Sequence, residues 1–136
     1  MMVAAMITSL TFAQKTQDKN VPPAVKSTFQ KQYPDAKEVK WETENGNYEA
    51  EFEQTETDYS VLLDASGNIL ETEIKISSDA LPAKVKEYVS KNYAGQKIKE
   101  AAKITDAKGT VTYEAEIKGT DLLFDSNGVF IKEVKE

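Results

Sequence analysis

Along the chain, apolar residues first recur every four positions and then every second position, and this succession of periods runs through twice. Val21, Val25, Phe29 and Tyr33 fall four apart, as do Leu81, Val85, Val89 and Tyr93. At 3.6 residues per turn this spacing gathers the apolar side chains on one stripe, with lysine and glutamine on the other side. Each run therefore predicts an amphipathic helix. Pro22 and Pro82 stand at the two starts, where a missing N–H loses no partner and a fixed φ suits the first turn. Pro34 and Gly95 mark the two ends.

After each helix the period drops to two, the mark of half-buried strands. Val39, Trp41 and Thr43 alternate with Lys40, Glu42 and Glu44, and Tyr48, Ala50 and Phe52 alternate with Glu49, Glu51 and Glu53. Asn45-Gly46 lies between these runs, and a two-residue hairpin turn with positive φ at both positions favours that pair. Further strands are predicted over Tyr59–Leu63 and Asn68–Ile76, joined through Asp64-Ala65-Ser66-Gly67. The second copy repeats the order: Tyr113-Glu114-Ala115-Glu116-Ile117 answers Tyr48-Glu49-Ala50-Glu51-Phe52, and Phe124-Asp125-Ser126-Asn127-Gly128 answers Leu63-Asp64-Ala65-Ser66-Gly67. The expected fold is α+β: two tandem helix-plus-four-strand repeats, 21–76 and 77–136, forming an antiparallel sheet with both helices on one face.

The order of an early proline, Tyr33-Pro34-Asp35-Ala36-Lys37, Val39-Lys40-Trp41-Glu42, Tyr48-Glu49-Ala50-Glu51-Phe52 and Leu63-Asp64-Ala65-Ser66-Gly67-Asn68-Ile69 resembles the PepSY-like, β-lactamase-inhibitor-like domains of exported bacterial proteins. The resemblance runs from about Val21 to Glu136 and is found in both copies. It implies a module without catalytic residues that presents a concave sheet face to a protein, in some relatives an enzyme that is inhibited. The second copy departs from the pattern, with Ala94-Gly95 in place of Pro-Asp and Ala101 or Ala102 where tryptophan would stand.

Charge and composition narrow the chemistry. The formal net charge is -6, and all 17 basic residues are lysine, which argues against a nucleic-acid partner and removes the bidentate guanidinium fork. The chain has neither cysteine nor histidine, so disulfides, thiolate zinc sites, cysteine nucleophiles and imidazole acid–base chemistry are all excluded. The apolar run Val3–Phe12, ending at Ala13, has the pattern of a signal peptide over residues 1–13 that lacks its basic start. Ten residues are too few to span a bilayer. No cysteine follows to carry a lipid, so the mature chain is expected to have no membrane anchor and to be periplasmic or secreted, with 14–20 as a flexible lead-in.

The candidate surface is the polar side of the sheet. Lys40, Glu42, Glu49, Glu51, Glu53, Glu114 and Glu116 should share the wetted face, either as a surface for a protein partner or simply as the charge that keeps the sheet soluble. Glutamates at such surface positions lack the burial that acid–base work requires. Trp41 shares parity with Val39 and should face the helix. Asp64 and Asp125 begin segments with oxygen ligands at alternate positions, but glycine does not sit where a calcium loop needs it, and turn capping is the better account. No arrangement of a nucleophile with a base is recognisable, and no catalytic residue, cofactor or metal is assigned. The function expected is an exported, non-enzymatic protein-binding module, in its sharper form an inhibitor of a secreted or periplasmic enzyme. The alternative is a periplasmic cation or small-ligand binder using the acidic face.

Overall fold

The computed structural model describes residues 14–136, so the leader expected over residues 1–13 lies outside it. The chain divides into two compact units, one reaching to Glu73 and one spanning Ile74–Glu136.

The first unit contains β1 (Gln14–Thr16), a 3-10 turn (Asp18–Asn20), α1 (Pro23–Gln32), β2 (Lys37–Glu44), β3 (Asn47–Gln54), β4 (Thr57–Leu63) and the start of β5 (Ile69–Ile76). Strands that follow one another in the chain are neighbours in the sheet, and the pairs β1–β2, β2–β3 and β3–β4 are antiparallel. Where a flexible lead-in was expected, Gln14–Thr16 pairs with Trp41–Thr43 as β1, and a 3-10 turn follows. The helix begins where Pro22, with φ -55 and ψ 145, turns the chain, and the Pro22 carbonyl accepts from the N–H groups of Val25 and Lys26 at 3.0 and 3.1 Å. It ends where Tyr33 leaves the helical region at φ -130, while its N–H still donates to the Phe29 carbonyl at 2.8 Å. The residue before a proline is driven toward extended conformations, and here that proline is Pro34.

The apolar stripe of α1 packs on one face of this sheet. Phe29 meets Trp41 and Phe52 edge to face, at centroid distances of 5.2 and 5.0 Å, and Phe52 stacks on Tyr59 at 5.3 Å. Such pairs contribute about 0.5–1.5 kcal/mol each beyond the apolar area they bury. Trp41 is therefore a core residue, as its parity predicts. Val39 is not: β2 carries a bulge between Lys37 and Lys40, with Glu38 at φ 54, and Val39 is left 36% exposed. A bulge inserts a residue into the alternation and re-aims the side chains around it.

The second unit contains the end of β5, a 3-10 turn (Ser78–Ala80), α2 (Ala83–Asn92), β6 (Glu100–Asp106), β7 (Val111–Ile117), β8 (Thr120–Asp125) and β9 (Phe130–Lys135). Its pairs β6–β7, β7–β8 and β8–β9 are antiparallel. Ala101 pairs with Ala115 as Trp41 pairs with Ala50, so Ala101 is the alanine that stands in the tryptophan's place. Val89 and Ile117 likewise occupy the positions of Phe29 and Phe52. The lost ring volume is supplied from elsewhere: Tyr88 stacks on Phe130 at 4.5 Å and meets Phe124 edge-on at 5.6 Å. Leu81, Val85 and Val89 on the α2 side and Ala115, Leu122 and Phe124 on the strands complete this core.

Candidate functional site

In the first unit the Asn45-Gly46 turn, with φ 52 and 78, sets the register of β2 against β3. It places Glu42 opposite Glu49 and Lys40 opposite Glu51, and β4 continues the rows with Leu62 opposite Glu49 and Ser60 opposite Glu51. These residues share the face turned away from α1. Cross-strand like charges such as Glu42 and Glu49 destabilise a sheet unless one of them is neutralised.

The structure corrects the expectation of a uniformly wetted face. Lys40 is exposed and Glu42, Glu51, Glu53 and Glu116 are half-buried, but Glu49 and Glu114 are only 3% and 4% exposed. Both buried glutamates lie on inner strands of their units, β3 and β7, with a neighbouring strand on each side. Burial pushes the Glu49 carboxyl up to about 9, helped by its bond to Glu51 and by the charges of Glu51, Glu42 and Glu44. At neutral pH Glu49 thus holds a proton next to Glu51, and the reading that these glutamates lack the burial to shift a titration is overturned for this residue. Titration in such a pair belongs to the pair rather than to one residue.

In the second unit the corresponding rows are Ala102–Glu114–Leu123 and Glu100–Glu116–Asp121. Asp121 holds the place of Ser60, since Asp121 pairs with Glu116 as Ser60 pairs with Glu51. Asp121 is 3% exposed and its carboxyl is pushed up to about 7, first by burial and then by the charges of Glu136 and Glu116. Sequence reading missed it because Asp121 sits at the start of β8, two residues after Gly119, where an aspartate is ordinarily exposed. Its signal was there: of the two aspartates that bracket Leu122-Leu123-Phe124, Asp121 falls opposite Glu116.

Two concavities open beside Trp41 in the first unit. One, of about 500 Å³, is lined by Thr16, Asp18, Val39, Lys40, Trp41 and Glu42. The other, of about 350 Å³, lies between α1 and β2, where Phe29, Tyr33, Pro34, Val39 and Trp41 are among its walls. The bulge creates this apolar floor by leaving Val39 beside the edge of Trp41, and β1 with its following turn supplies one wall. Lys40 and Glu42 join the groove to the charged face.

The two aspartate segments behave as turn caps. Asp64 Oδ1 accepts from the N–H groups of Ser66 and Asn68, both at 2.9 Å, and Asp125 Oδ1 accepts from those of Asn127 and Val129 at the same distance. These bonds, with that from the Asn68 side chain, hold the Asp64 carboxyl below its usual range.

A family model described as beta-lactamase-inhibitor-like, PepSY-like matches residues 11–71 and again residues 47–132. The chain belongs to this PepSY-like family. Among solved structures, a PepSY-like fold is shared with a proposed periplasmic protein of Bacteroides eggerthii DSM 20697, at 15% identity and a TM-score of 0.76 over 85% of this chain and 88% of that one. A DUF2874 family protein of Bacteroides ovatus ATCC 8483 is 25% identical with a TM-score of 0.73, over 85% and 89% of the two chains. A BLIP-like protein of Bacteroides fragilis NCTC 9343 is 23% identical with a TM-score of 0.68, over 87% and 90%. No curated protein matches the sequence. Among the described residues, no helix is long and apolar enough to cross a membrane.

Proposed function

We propose that this PepSY-like chain is an exported, non-enzymatic module that binds a protein in the periplasm, and that the binding surface is the groove beside Trp41 with the charged face that adjoins it. One observation carries the reading: the bulge in β2 leaves Val39 exposed next to Trp41 on the floor of a groove of about 500 Å³ whose rim is Lys40, Glu42 and Asp18. An apolar floor with a charged rim is the anatomy of a protein interface. On this reading Lys40 and Glu42 touch the partner at the groove and Glu51 and Glu53 on the adjoining face; Glu49 supports them from beneath, and Glu114 and Glu116 belong to the other unit. The signal-peptide pattern and the description of the Bacteroides eggerthii neighbour support export. The names of the family and of the Bacteroides fragilis neighbour support the sharper form, inhibition of an exported enzyme.

The test uses the chain from Gln14 onward as bait in periplasmic extract, against two variants. One is Val39→Glu; the other combines Glu42→Lys, Glu51→Lys and Glu53→Lys, leaving the buried Glu49 intact so that the fold is not broken. A protein retained by the parent and lost from both variants supports the groove. Retention that survives both variants, or no protein retained at all, overturns it.

A further inference from the structure

We propose that Glu116, Asp121 and Glu136 form a binding site for a calcium ion in the second unit. One carboxylate oxygen from each of the three lies within 4.8 Å of one from each of the others. Two oxygens that bind one calcium ion at about 2.3–2.6 Å are at most about 5 Å apart, so the three can share an ion without rearrangement of the sheet. Each comes from a different stretch of backbone: Glu116 from β7, Asp121 from β8, and Glu136 from the residue after β9. The Glu136 N–H donates to the Gly119 carbonyl at 3.1 Å, which fixes that residue beside the β7–β8 turn.

A cluster of acids on a surface is commonplace, and the feature that marks this one is Asp121. Its side chain is 3% exposed, and Oδ1 has no hydrogen-bond donor among the described residues. A buried acceptor left without a donor costs about 1–3 kcal/mol, and a charged one more; a proton shared with Glu136 relieves part of this cost, and a cation held by all three carboxylates relieves it for the ionised group. The surrounding charges do not supply one fully. Lys75 is directed at Glu100, with Nζ 3.2 Å from Oε1, while Glu100 adds a further negative charge beside Glu116 and Asp121. Lys99 offsets Glu116 in part. The donors are all oxygen, in a chain without histidine or cysteine, which selects a hard cation over zinc or copper. Glu136 is exposed and Glu116 half-buried, which leaves an entrance and room for the waters that complete six to eight ligands. The first unit has Ser60 where Asp121 stands, so this donor set belongs to the second unit alone.

The site shares no residue with the groove beside Trp41, so either proposal can fail without the other. It is tested by calorimetric titration of calcium chloride into the full chain, with sodium chloride at matched ionic strength as reference. The parent should give a saturable heat at one ion per chain. Asp121→Asn and Glu116→Gln should each weaken it by about 10- to 100-fold, the range seen when even a ligand's support is disturbed. Glu87→Gln, on the exposed side of α2, should leave it unchanged. No saturable heat, the same heat from sodium chloride, or calcium binding that survives both Asp121→Asn and Glu116→Gln would overturn the proposal.

Discussion

At the scale of single residues, Gly67 shows how a turn is tied to a helix. Its φ is +88, and a Cβ there would lie 2.6 Å from the Ala24 carbonyl oxygen and 2.9 Å from Thr28 Oγ1. The turn capped by Asp64 thus lies directly on the first turns of α1, and only a residue without a side chain allows that approach. Gly46 has φ +78 but nothing within 4 Å of its would-be Cβ. Gly46→Ala should lose about 1–2 kcal/mol through the left-handed backbone alone. Gly67→Ala should lose that and about 1–3 kcal/mol more for the overpacking, and urea unfolding of the two variants separates the terms. Equal losses would show that the helix contact contributes nothing. That Gly67 ends an aspartate turn was legible in the sequence; that it also touches α1 was not, because a turn motif specifies its own bonds and not what lies beneath it.

At the scale of elements, the two repeats solve the same hairpin differently. The β7–β8 turn is Lys118-Gly119, with Gly119 at φ 73, whereas the β3–β4 turn is Thr55-Glu56, at φ 53 and 59. Left-handed backbone costs a residue with a Cβ about 1–2 kcal/mol, and a β-branched residue such as Thr55 is poorly suited to it. Glu56→Gly places a glycine at the second turn position, as in the second repeat, and should raise stability by about 0.5–1 kcal/mol after the extra chain entropy of glycine is counted. A lower urea midpoint for this variant would mean that Glu56 makes a contact worth more than the strain. The helices, the Asn45-Gly46 hairpin and the inward faces of β3 and β7 were readable because period and turn chemistry are local properties. β1 was not, since three polar residues become a strand only because β2 offers them an edge. The bulge escaped for a related reason: Glu38-Val39 carries no glycine to announce it, and alternation counted straight through it puts Val39 in the core.

At the scale of the whole molecule, a chain of net charge -6 nonetheless buries the carboxyls of Glu49 and Asp121, and these two set its response to pH. The parity of β3 and β7 told which face Glu49 and Glu114 take, but parity carries no information on depth, and depth decides the titration. Glu49 binds its proton up to about 9 in the folded protein, against 4.5 as the ordinary value. Between those values the folded state holds a proton that the unfolded chain has released, so stability falls as pH rises, by at most about 1.4 kcal/mol per unit. The contribution is complete below the ordinary value and gone above the folded one. Asp121, pushed up to about 7 in the folded state, acts with the same sign over a lower window. Asp64, held below its usual range, acts oppositely and only in strong acid. The urea midpoint should therefore be higher near pH 5.5 than near pH 8.5. Glu49→Gln keeps the shape and the hydrogen-bonding capacity while removing the titration, so it should raise the midpoint most near pH 8.5, less near pH 5.5 and hardly at all below 4.5, and flatten the slope between them. A parent midpoint that rises with pH across that range, or a Glu49→Gln variant with the parent's slope, would show that Glu49 is ionised in the folded protein and that its burial is relieved by some other group.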